Sequence, residues 1–179
     1  KTCGGMWEEG MAIYDTIKSH QAPITVLNYT HARSMSSLIF LAADKRVMMP
    51  HSYFMFHRGT VTVSGIENEV ESAMEWIKKT TKVQMLDIYV DALKKGNKFK
   101  NHEREKISFM LNDMMDKAVD CYKTAKEAVE WGFADEIFDG NWENLTKYSE
   151  KNLSRRGFVR QETSNKDYGK IIKYTSAQR

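Results

Sequence analysis

The fold is decided by residues 24–43, which read ITVLNYTHARSMSSLIFLAA. Residues 24–29 have the β-branched and aromatic content typical of a strand, whereas residues 33–43 form a largely apolar run that predicts a helix. Ser34 stands at the start of that helix. A helix start directs free backbone N–H groups and a partial positive charge at its surroundings, which suits an oxyanion. Ser34 is therefore a candidate nucleophile.

The sequence on either side of this stretch alternates between helical and extended patterns. Residues 6–19 carry apolar side chains at helical spacing and are followed by Pro23. Residues 53–56 read YFMF, which predicts a buried strand that delivers His57. Residues 136–138 predict a final strand. This alternation indicates an α/β fold.

Length and composition exclude several classes of protein. A chain of 179 residues with 41% apolar residues can form one domain with a real core. The net charge of +3 is small beside 28% charged residues, so we expect no nucleic-acid partner. The longest apolar run, residues 38–43, is far shorter than the ~20 residues of a membrane helix, and no signal peptide opens the chain. Two cysteines make no disulfide framework, which favours a reducing, cytoplasmic location.

Two capping boxes indicate where further helices begin. Ser64 and Glu67 form the first, and it predicts a long helix over about residues 65–96 whose apolar stripe a partner subunit would cover. The alternative is that this stripe packs inside a monomer core. Thr124 and Glu127 form the second box, which predicts a short helix.

The domain organisation is predicted from changes in composition. Residues 1–139 form the main domain, in which a charged stretch and a helical segment over about residues 94–113 are interpreted as an insertion. Residues 140–179 form a polar, basic C-terminal extension without clear periodicity. Because the sequence begins at Lys1, without an initiator methionine, we expect further residues upstream.

Ser34 needs a base and a third, orienting group if it is to attack an amide. His57 and an aspartate are the candidates. Taken singly, these residues fit ordinary roles, since a serine at a helix start is usually an N-cap and a lone histidine is usually a surface or core residue. The Gly4-Gly5 pair is also a weak signal alone, because most glycine pairs form turns.

Taken together, the motifs and their order closely resemble the Clp protease proteolytic subunit family (ClpP) from Cys3 to about Phe138. The matching segments are residues 1–5 (KTCGG), 10–17 (GMAIYDTI), 32–35 (ARSM), 48–52 (MMPHS), 55–57 (MFH) and 124–135 (TAKEAVEWGFAD). The resemblance implies a ClpP/crotonase-like fold of ββα repeats, with residues 65–96 as its handle helix. The family's N-terminal strands have no counterpart in the sequence.

The resemblance also implies a catalytic triad. Ser34 matches the family's nucleophile, His57 its general base and Asp120 its third member, with Asp116 and Asp113 as lower-ranked alternatives. The implied activity is that of a serine endopeptidase, which hydrolyses peptide bonds through an acyl-enzyme. No metal or organic cofactor is expected.

The same resemblance places the oxyanion donors and the substrate strand. The backbone N–H groups of Gly5 and Met35 match the oxyanion donors, and rigid backbone donors of this kind suit the chemistry. Val61, Thr62 and Val63 lie where the family holds a peptide by strand addition, and their alternation predicts a partly exposed strand.

The resemblance also implies partners, although the sequence departs from the family at positions that bear on its assembly. A heptameric ring or double ring of identical subunits, fed by an AAA+ ATPase that unfolds protein substrates, is the family's assembly. Cys3 replaces a proline and is interpreted as a packing residue, while Ala118-Val119 replaces an Asp-Arg pair that joins subunits across the rings. This divergence is compatible with a phage or other mobile-element version, acting in the host cytoplasm.

Two alternative functions remain open from the sequence. One is a catalytically inactive structural subunit that keeps the fold and the ring contacts. The other is a crotonase-like acyl-CoA enzyme, which uses backbone oxyanion donors on a related fold and does not need Ser34, His57 and Asp120 together.

Overall fold

Two small sheets carry the strands that position the candidate site. The computed structural model describes residues 2–149 in full and, for the backbone alone, residues 158–165 and 169–176. The first elements are α1 (Trp7–Ser19), β1 (Thr25–Asn28), β2 (His31–Arg33), α2 (Met35–Ala42), β3 (Lys45–Met48) and β4 (Tyr53–Phe56). The helices and strands that follow are α3 (Glu67–Trp76), α4 (Lys82–Lys94), α5 (Arg104–Lys117), β5 (Cys121–Thr124), α6 (Ala125–Trp131), β6 (Glu136–Ile137), β7 (Phe158–Asn165) and β8 (Gly169–Ser176).

The first four strands alternate between the two sheets. β1 pairs in parallel with β3, with Thr25 opposite Lys45, and β2 pairs in parallel with β4, with His31 opposite Tyr53. β6 extends the first sheet in parallel, and β5 closes the second sheet antiparallel to β4. The β1-β2-α2 unit is followed by β3-β4 and the next helix, so the α/β fold of ββα repeats is confirmed.

Helix α2 lies in the centre of the molecule because its sequence carries no charge. Nearly all of its residues are buried, including Leu38 and Phe40. Beside it, the ring of Phe54 stacks on that of Phe133 with centroids 4.5 Å apart, and Tyr89 meets both rings edge-on. Burying each large apolar side chain contributes about 1.5–3 kcal/mol, so this cluster helps to hold β4 against α4.

The predicted long helix is present, but it is not uniform and does not start where the capping box indicated. α3 begins at Glu67 behind Ile66, whose N–H donates to the Glu69 carboxylate at 3.4 Å, so the predicted Ser64–Glu67 box is wrong. A π-helical turn, Ile77–Thr81, connects α3 to α4. α3 buries none of its residues, whereas α4 packs into the core. The apolar stripe is therefore half-buried in the first half, at Val70, Met74 and Ile77, and largely buried in the second.

The short helix α6 begins and ends as predicted. Thr124 and Glu127 form the reciprocal capping box, with the Thr124 N–H donating to Glu127 at 2.8 Å. Gly132 ends the helix with φ 100°. A Cβ built on Gly96 would overlap the Trp131 carbonyl oxygen, so only glycine allows the turn after α4 to approach α6 this closely.

The segment interpreted as an insertion contributes to the core. Phe99 is buried against Trp131, with ring centroids 5.0 Å apart. Ile107 and Leu111 of α5 are buried against α4. The charged side chains face outward, as shown by Arg104, which pairs with acidic residues of α4. The segment is thus part of the same core as the ββα units.

Residues after 139 pack against the first sheet through side-chain hydrogen bonds. The Lys45 ammonium group, almost fully buried, donates to the carbonyl oxygens of Asn144 and Lys147 and pairs with Glu136 at 2.9 Å. The Tyr148 hydroxyl donates to the carbonyl of Pro23 at 3.1 Å. Farther on, β7 and β8 form an antiparallel hairpin that the sequence pattern did not predict. The boundary near residue 139 stays a prediction.

Within the described residues, no helix has the length and apolar character needed to cross a membrane.

Candidate active site

Ser34 occupies a strained turn between β2 and α2. Its φ of 54° and ψ of −129° make it the single non-glycine residue with positive φ among the residues that the structure describes. Its N–H donates to the Met55 carbonyl at 3.1 Å, and its own carbonyl accepts from Ser37 Oγ at 2.6 Å. The Ser34 hydroxyl makes no capping bond to α2, so the ordinary N-cap role does not apply. Such a turn costs roughly 1–3 kcal/mol and is found mainly where function requires it.

His57 bridges the serine hydroxyl and a carboxylate. It follows β4, and its Nε2 lies 2.8 Å from Ser34 Oγ while its Nδ1 lies 3.2 Å from Asp120 Oδ1. A carboxylate at Nδ1 favours the tautomer with the proton on that nitrogen, which leaves Nε2 free to accept the serine proton. The His57 side chain is 20% exposed and that of Asp120 35%, so a substrate in solution can reach the pair.

The three aspartates proposed for the third position lie in different environments. Asp120 comes directly before β5, and the antiparallel pairing of β5 with β4 brings it beside His57. Asp116 instead accepts a hydrogen bond from Arg58 at 2.8 Å, and Asp113 pairs with Lys117 at 2.8 Å on the surface of α5. The geometry therefore favours Asp120 over both alternatives.

Tyr122 is a residue of this site that sequence reasoning missed. Its hydroxyl donates to Asp120 Oδ2 at 3.1 Å, and this hydrogen bond raises the pKa of Tyr122. Asp120 directly precedes β5 and Tyr122 lies within it, two positions later, and side chains two apart along extended chain lie on one face. This two-residue spacing is the feature of the sequence that could have indicated the contact. Because Tyr122 donates a hydrogen bond to the second carboxylate oxygen, it helps to orient Asp120.

The N-terminal glycines lie against the serine turn. Thr2 forms a parallel bridge to Ala32, and its carbonyl accepts from Ser36 Oγ at 2.7 Å. Gly4 has φ 101°, and a Cβ built on it would lie 2.7 Å from the Ser34 Cβ. Only glycine permits this approach. Gly5 follows directly and lines the same cavity as Ser34.

A cavity of about 390 Å³ opens beside Ser34 and His57. Both predicted oxyanion donors, Gly5 and Met35, line it. Its apolar lining comes from α1, α2 and the handle, through Met6, Trp7, Leu38, Ile77, Met85 and Tyr89. The π-helical turn supplies part of this wall, and such turns are frequent at functional sites. No periodicity in the sequence indicated it.

The predicted strand over residues 61–63 is wrong. In the part of the chain that the structure describes, these residues belong to no sheet, since no neighbouring strand is available to pair with them. Val61 and Thr62 nevertheless line the cavity, whereas Val63 does not. Their backbone groups remain available for an added strand, and their predicted role in substrate binding stays a prediction.

Cys3 differs from the interpretation as a packing residue, because it is exposed. Its sulfur accepts a hydrogen bond from the Arg33 guanidinium at 2.9 Å, which raises the pKa of Arg33, and lies 3.5 Å from His31 Nε2. The sequence showed neither contact, since they depend on the bridge between Thr2 and β2.

No group of three or more His, Cys, Asp or Glu side chains converges on a metal-binding arrangement within the described residues.

Fold and geometry together define a class of protein. A serine on a strained strand-to-helix turn, a histidine that bridges it to an aspartate, and a glycine segment beside the hydroxyl are the arrangement typical of serine peptidases.

The comparisons with known proteins agree with this class. Residues 1–141 match the family model for Clp protease, so the chain belongs to the Clp protease family. It is similar to an ATP-dependent Clp protease proteolytic subunit of Deinococcus radiodurans, at 30% identity over 143 residues, or 79% of this chain and 63% of that protein. It is also similar to proteolytic subunit 1 of Chlamydia pneumoniae, at 31% identity over 140 residues, or 75% of this chain and 65% of that protein. The chain thus spans just under two thirds of the length of these relatives.

Proposed function

We propose that this protein is a serine endopeptidase that cleaves peptide bonds through an acyl-enzyme, with Ser34, His57 and Asp120 as its catalytic triad. The observation that carries the proposal is the position of the His57 ring, with Nε2 2.8 Å from Ser34 Oγ and Nδ1 3.2 Å from Asp120 Oδ1. Both distances allow proton transfer at one nitrogen and orientation at the other.

The reaction follows from this geometry. His57 Nε2 takes the proton as Ser34 Oγ attacks the scissile carbonyl, and the resulting imidazolium then protonates the leaving amine. Asp120 holds the proton at Nδ1 and stabilises the imidazolium while it exists. Water enters after the amine leaves, and the same histidine activates it to release the acyl group.

The developing oxyanion is stabilised by the backbone N–H groups of Gly5 and Met35. Their support comes from the bridge of Thr2 to β2, from the close contact of Gly4 with Ser34, and from the burial of Met35 in α2. Donors fixed before the reaction cost no reorganisation, and losing one typically raises the barrier by about 3 kcal/mol.

The substrate is an extended peptide or unfolded polypeptide. Residues 61–63 offer unpaired backbone to it, so main-chain hydrogen bonds provide binding with little selectivity. The largely apolar cavity wall receives a substrate side chain next to Ser34.

The chain acts as one subunit of a homo-oligomer, for which we propose the heptameric ring or double ring of its family. The names of the relatives describe proteolytic subunits of an ATP-dependent protease, which supports an ATPase partner that delivers substrate in the cytoplasm. Helix α3 buries none of its residues, and Ile66 and Trp76 at its two ends are 69% and 66% exposed, which suits contacts with another subunit. Val119 is 87% exposed at the position of the family's ion pair, so apolar contact replaces that pair.

Labelling with a fluorophosphonate tests the chemistry directly, because the probe reacts with an activated serine. We expect modification at Ser34, found by peptide mass spectrometry and abolished by Ser34→Ala and by His57→Ala. Ser72→Ala is the matched control, since Ser72 is exposed on α3 and far from the turn in sequence. Hydrolysis of an unstructured protein such as casein should be lost in the same two variants.

Other results would point elsewhere. An assembled particle that is folded but takes up no probe would indicate an inactive structural subunit. Turnover of an acyl-CoA that survives Ser34→Ala would indicate a crotonase-like enzyme. Particle mass in solution tests the oligomer separately, and a monomeric mass at all concentrations would overturn that part.

A further inference from the structure

A second polar cluster lies next to the candidate active site and has no part in the proposed reaction. It consists of Cys3, His31 and Arg33. The Cys3 sulfur lies 3.5 Å from His31 Nε2 and accepts a hydrogen bond from Arg33 Nη2 at 2.9 Å. Cys3 is exposed, so small molecules in solution can reach it.

We propose that Cys3 is a modification site that reacts with low-molecular-weight disulfides, and that the mixed disulfide formed there disables the Ser34 centre. The consequence, though not the reactivity, rests on the peptidase function proposed above. Both parts are argued from the two contacts of the thiol and from its place in the chain, directly before Gly4.

The two contacts of Cys3 place a histidine ring nitrogen and a guanidinium at its sulfur. A thiolate, not a thiol, attacks disulfides, so the attacking cysteine must give up its proton to a base within reach. His31 can take the thiol proton, and Arg33 donates to the sulfur that would carry the negative charge. The same guanidinium attracts an anionic disulfide such as oxidised glutathione. Cys121, the other cysteine, is buried, and burial raises its pKa.

The proposed step is a thiol–disulfide exchange. His31 removes the thiol proton, and the Cys3 sulfur attacks one sulfur of the disulfide. A bond forms between these two sulfurs while the original S–S bond breaks, and the second half leaves as a thiolate that recovers the proton from His31. Cys3 is oxidised, the leaving half is reduced, and the disulfide itself is the oxidant.

The chain geometry transmits this modification to the active site. Gly4 follows Cys3 and packs so closely on the serine turn that a Cβ built there would lie 2.7 Å from the Ser34 Cβ. Gly5, one residue farther, is a proposed oxyanion donor. Arg33 precedes Ser34, and its hydrogen bond to the Cys3 sulfur is disturbed when that sulfur is capped. A bulky adduct on Cys3 therefore displaces Gly4 and Arg33, the two residues that connect Cys3 to Ser34.

The reactivity is tested by intact-mass spectrometry of the full chain during incubation with oxidised glutathione, with the modified residue located by peptide mapping. The reference is a synthetic peptide of residues 1–7, which has the same local sequence but no folded environment. We expect Cys3 to react at least about tenfold faster than the peptide thiol, and Cys121 to stay unmodified.

A pair of histidine variants tests the cause. His31→Phe removes the base but keeps an aromatic ring on Tyr53, with which His31 stacks at 5.6 Å, and should lower the rate of Cys3 modification several-fold. His20→Phe removes an exposed imidazole elsewhere and should leave the rate unchanged. A Cys3 that reacts no faster than the peptide, or equally fast in both variants, overturns the proposed site.

The consequence is measured on the purified glutathione adduct. Fluorophosphonate labelling of Ser34 should fall by at least about tenfold and recover when dithiothreitol removes the adduct. In Cys3→Ala, oxidised glutathione should leave the labelling of Ser34 unchanged. Full labelling of the adduct overturns the coupling. If untreated protein never labels at Ser34 while Cys3 still reacts rapidly, the peptidase proposal fails and the modification site stands.

Discussion

Replacing Gly4 by alanine tests whether the N-terminal segment fixes the position of Ser34. At φ 101° an alanine costs about 1–2 kcal/mol, because its Cβ is poorly accommodated in the left-handed region. The new Cβ would also lie 2.7 Å from the Ser34 Cβ and 3.0 Å from the Arg33 carbonyl oxygen. Relieving such an overlap in packed structure costs about 1–3 kcal/mol more. We therefore expect Gly4→Ala to lower the free energy of unfolding by about 2–5 kcal/mol.

Gly140→Ala is the matched control, since Gly140 has φ 89° and a Cβ added to it would meet no atom within 4 Å. It should cost only the conformational part, about 1–2 kcal/mol. Urea unfolding gives both values, and the difference between the variants isolates the overlap with the serine turn. Because a shift of about 1 Å at a nucleophile lowers rates about 100-fold, Gly4→Ala should also slow fluorophosphonate labelling to that extent, and Gly140→Ala should not. Equal stability and equal labelling in the two variants would refute the reasoning.

Three further substitutions probe neighbouring contacts. Asp120→Asn should lower peptide turnover by about 10⁴-fold with assembly intact, because the imidazole tautomer is disturbed, whereas Asp113→Asn should leave turnover unchanged; the reverse pattern in steady-state kinetics would reassign the triad. Tyr122→Phe frees one oxygen of Asp120 and should lower kcat less than about tenfold, with KM unchanged; a loss as large as that of Asp120→Asn would contradict a positioning role. Ser37→Ala leaves the buried Tyr89 hydroxyl, now 2.7 Å from Ser37 Oγ, without that partner and should cost about 1–3 kcal/mol in urea unfolding; an unchanged midpoint would count against it.

Much of the fold was predictable because periodicity and composition act locally. The run from 24 to 43 predicts its strand and its helix from side-chain pattern alone, and the capping box at Thr124 fixes the start of α6. The pairing of the candidate residues was predictable only through the family resemblance, since Ser34, His57 and Asp120 are far apart in sequence.

What the sequence did not predict depends on partners in space. Residues 61–63 alternate like a strand, but a strand needs a neighbour, and the described part of the chain supplies none. The handle begins after Ile66 instead of Ser64 because the Ile66 N–H donates to the Glu69 carboxylate, and this arrangement competes with an equally plausible box two residues earlier. The contacts of Cys3 depend on a single bridge between Thr2 and Ala32, which no local sequence pattern predicts.

The strain at Ser34 links the fold to the chemistry. β2 is held by its parallel partner β4, and α2 is held by burial of almost its whole surface, so the two elements are fixed independently of the turn between them. The turn must then adopt whatever backbone conformation joins them, and its cost of roughly 1–3 kcal/mol is a fraction of the roughly 5–15 kcal/mol of a typical domain. Because contacts from Met55, Ser37 and Gly4 all converge on this turn, the serine cannot relax without disturbing the core. Rigidity on both sides thus keeps the hydroxyl directed at His57 before any substrate arrives, which is the condition for efficient attack.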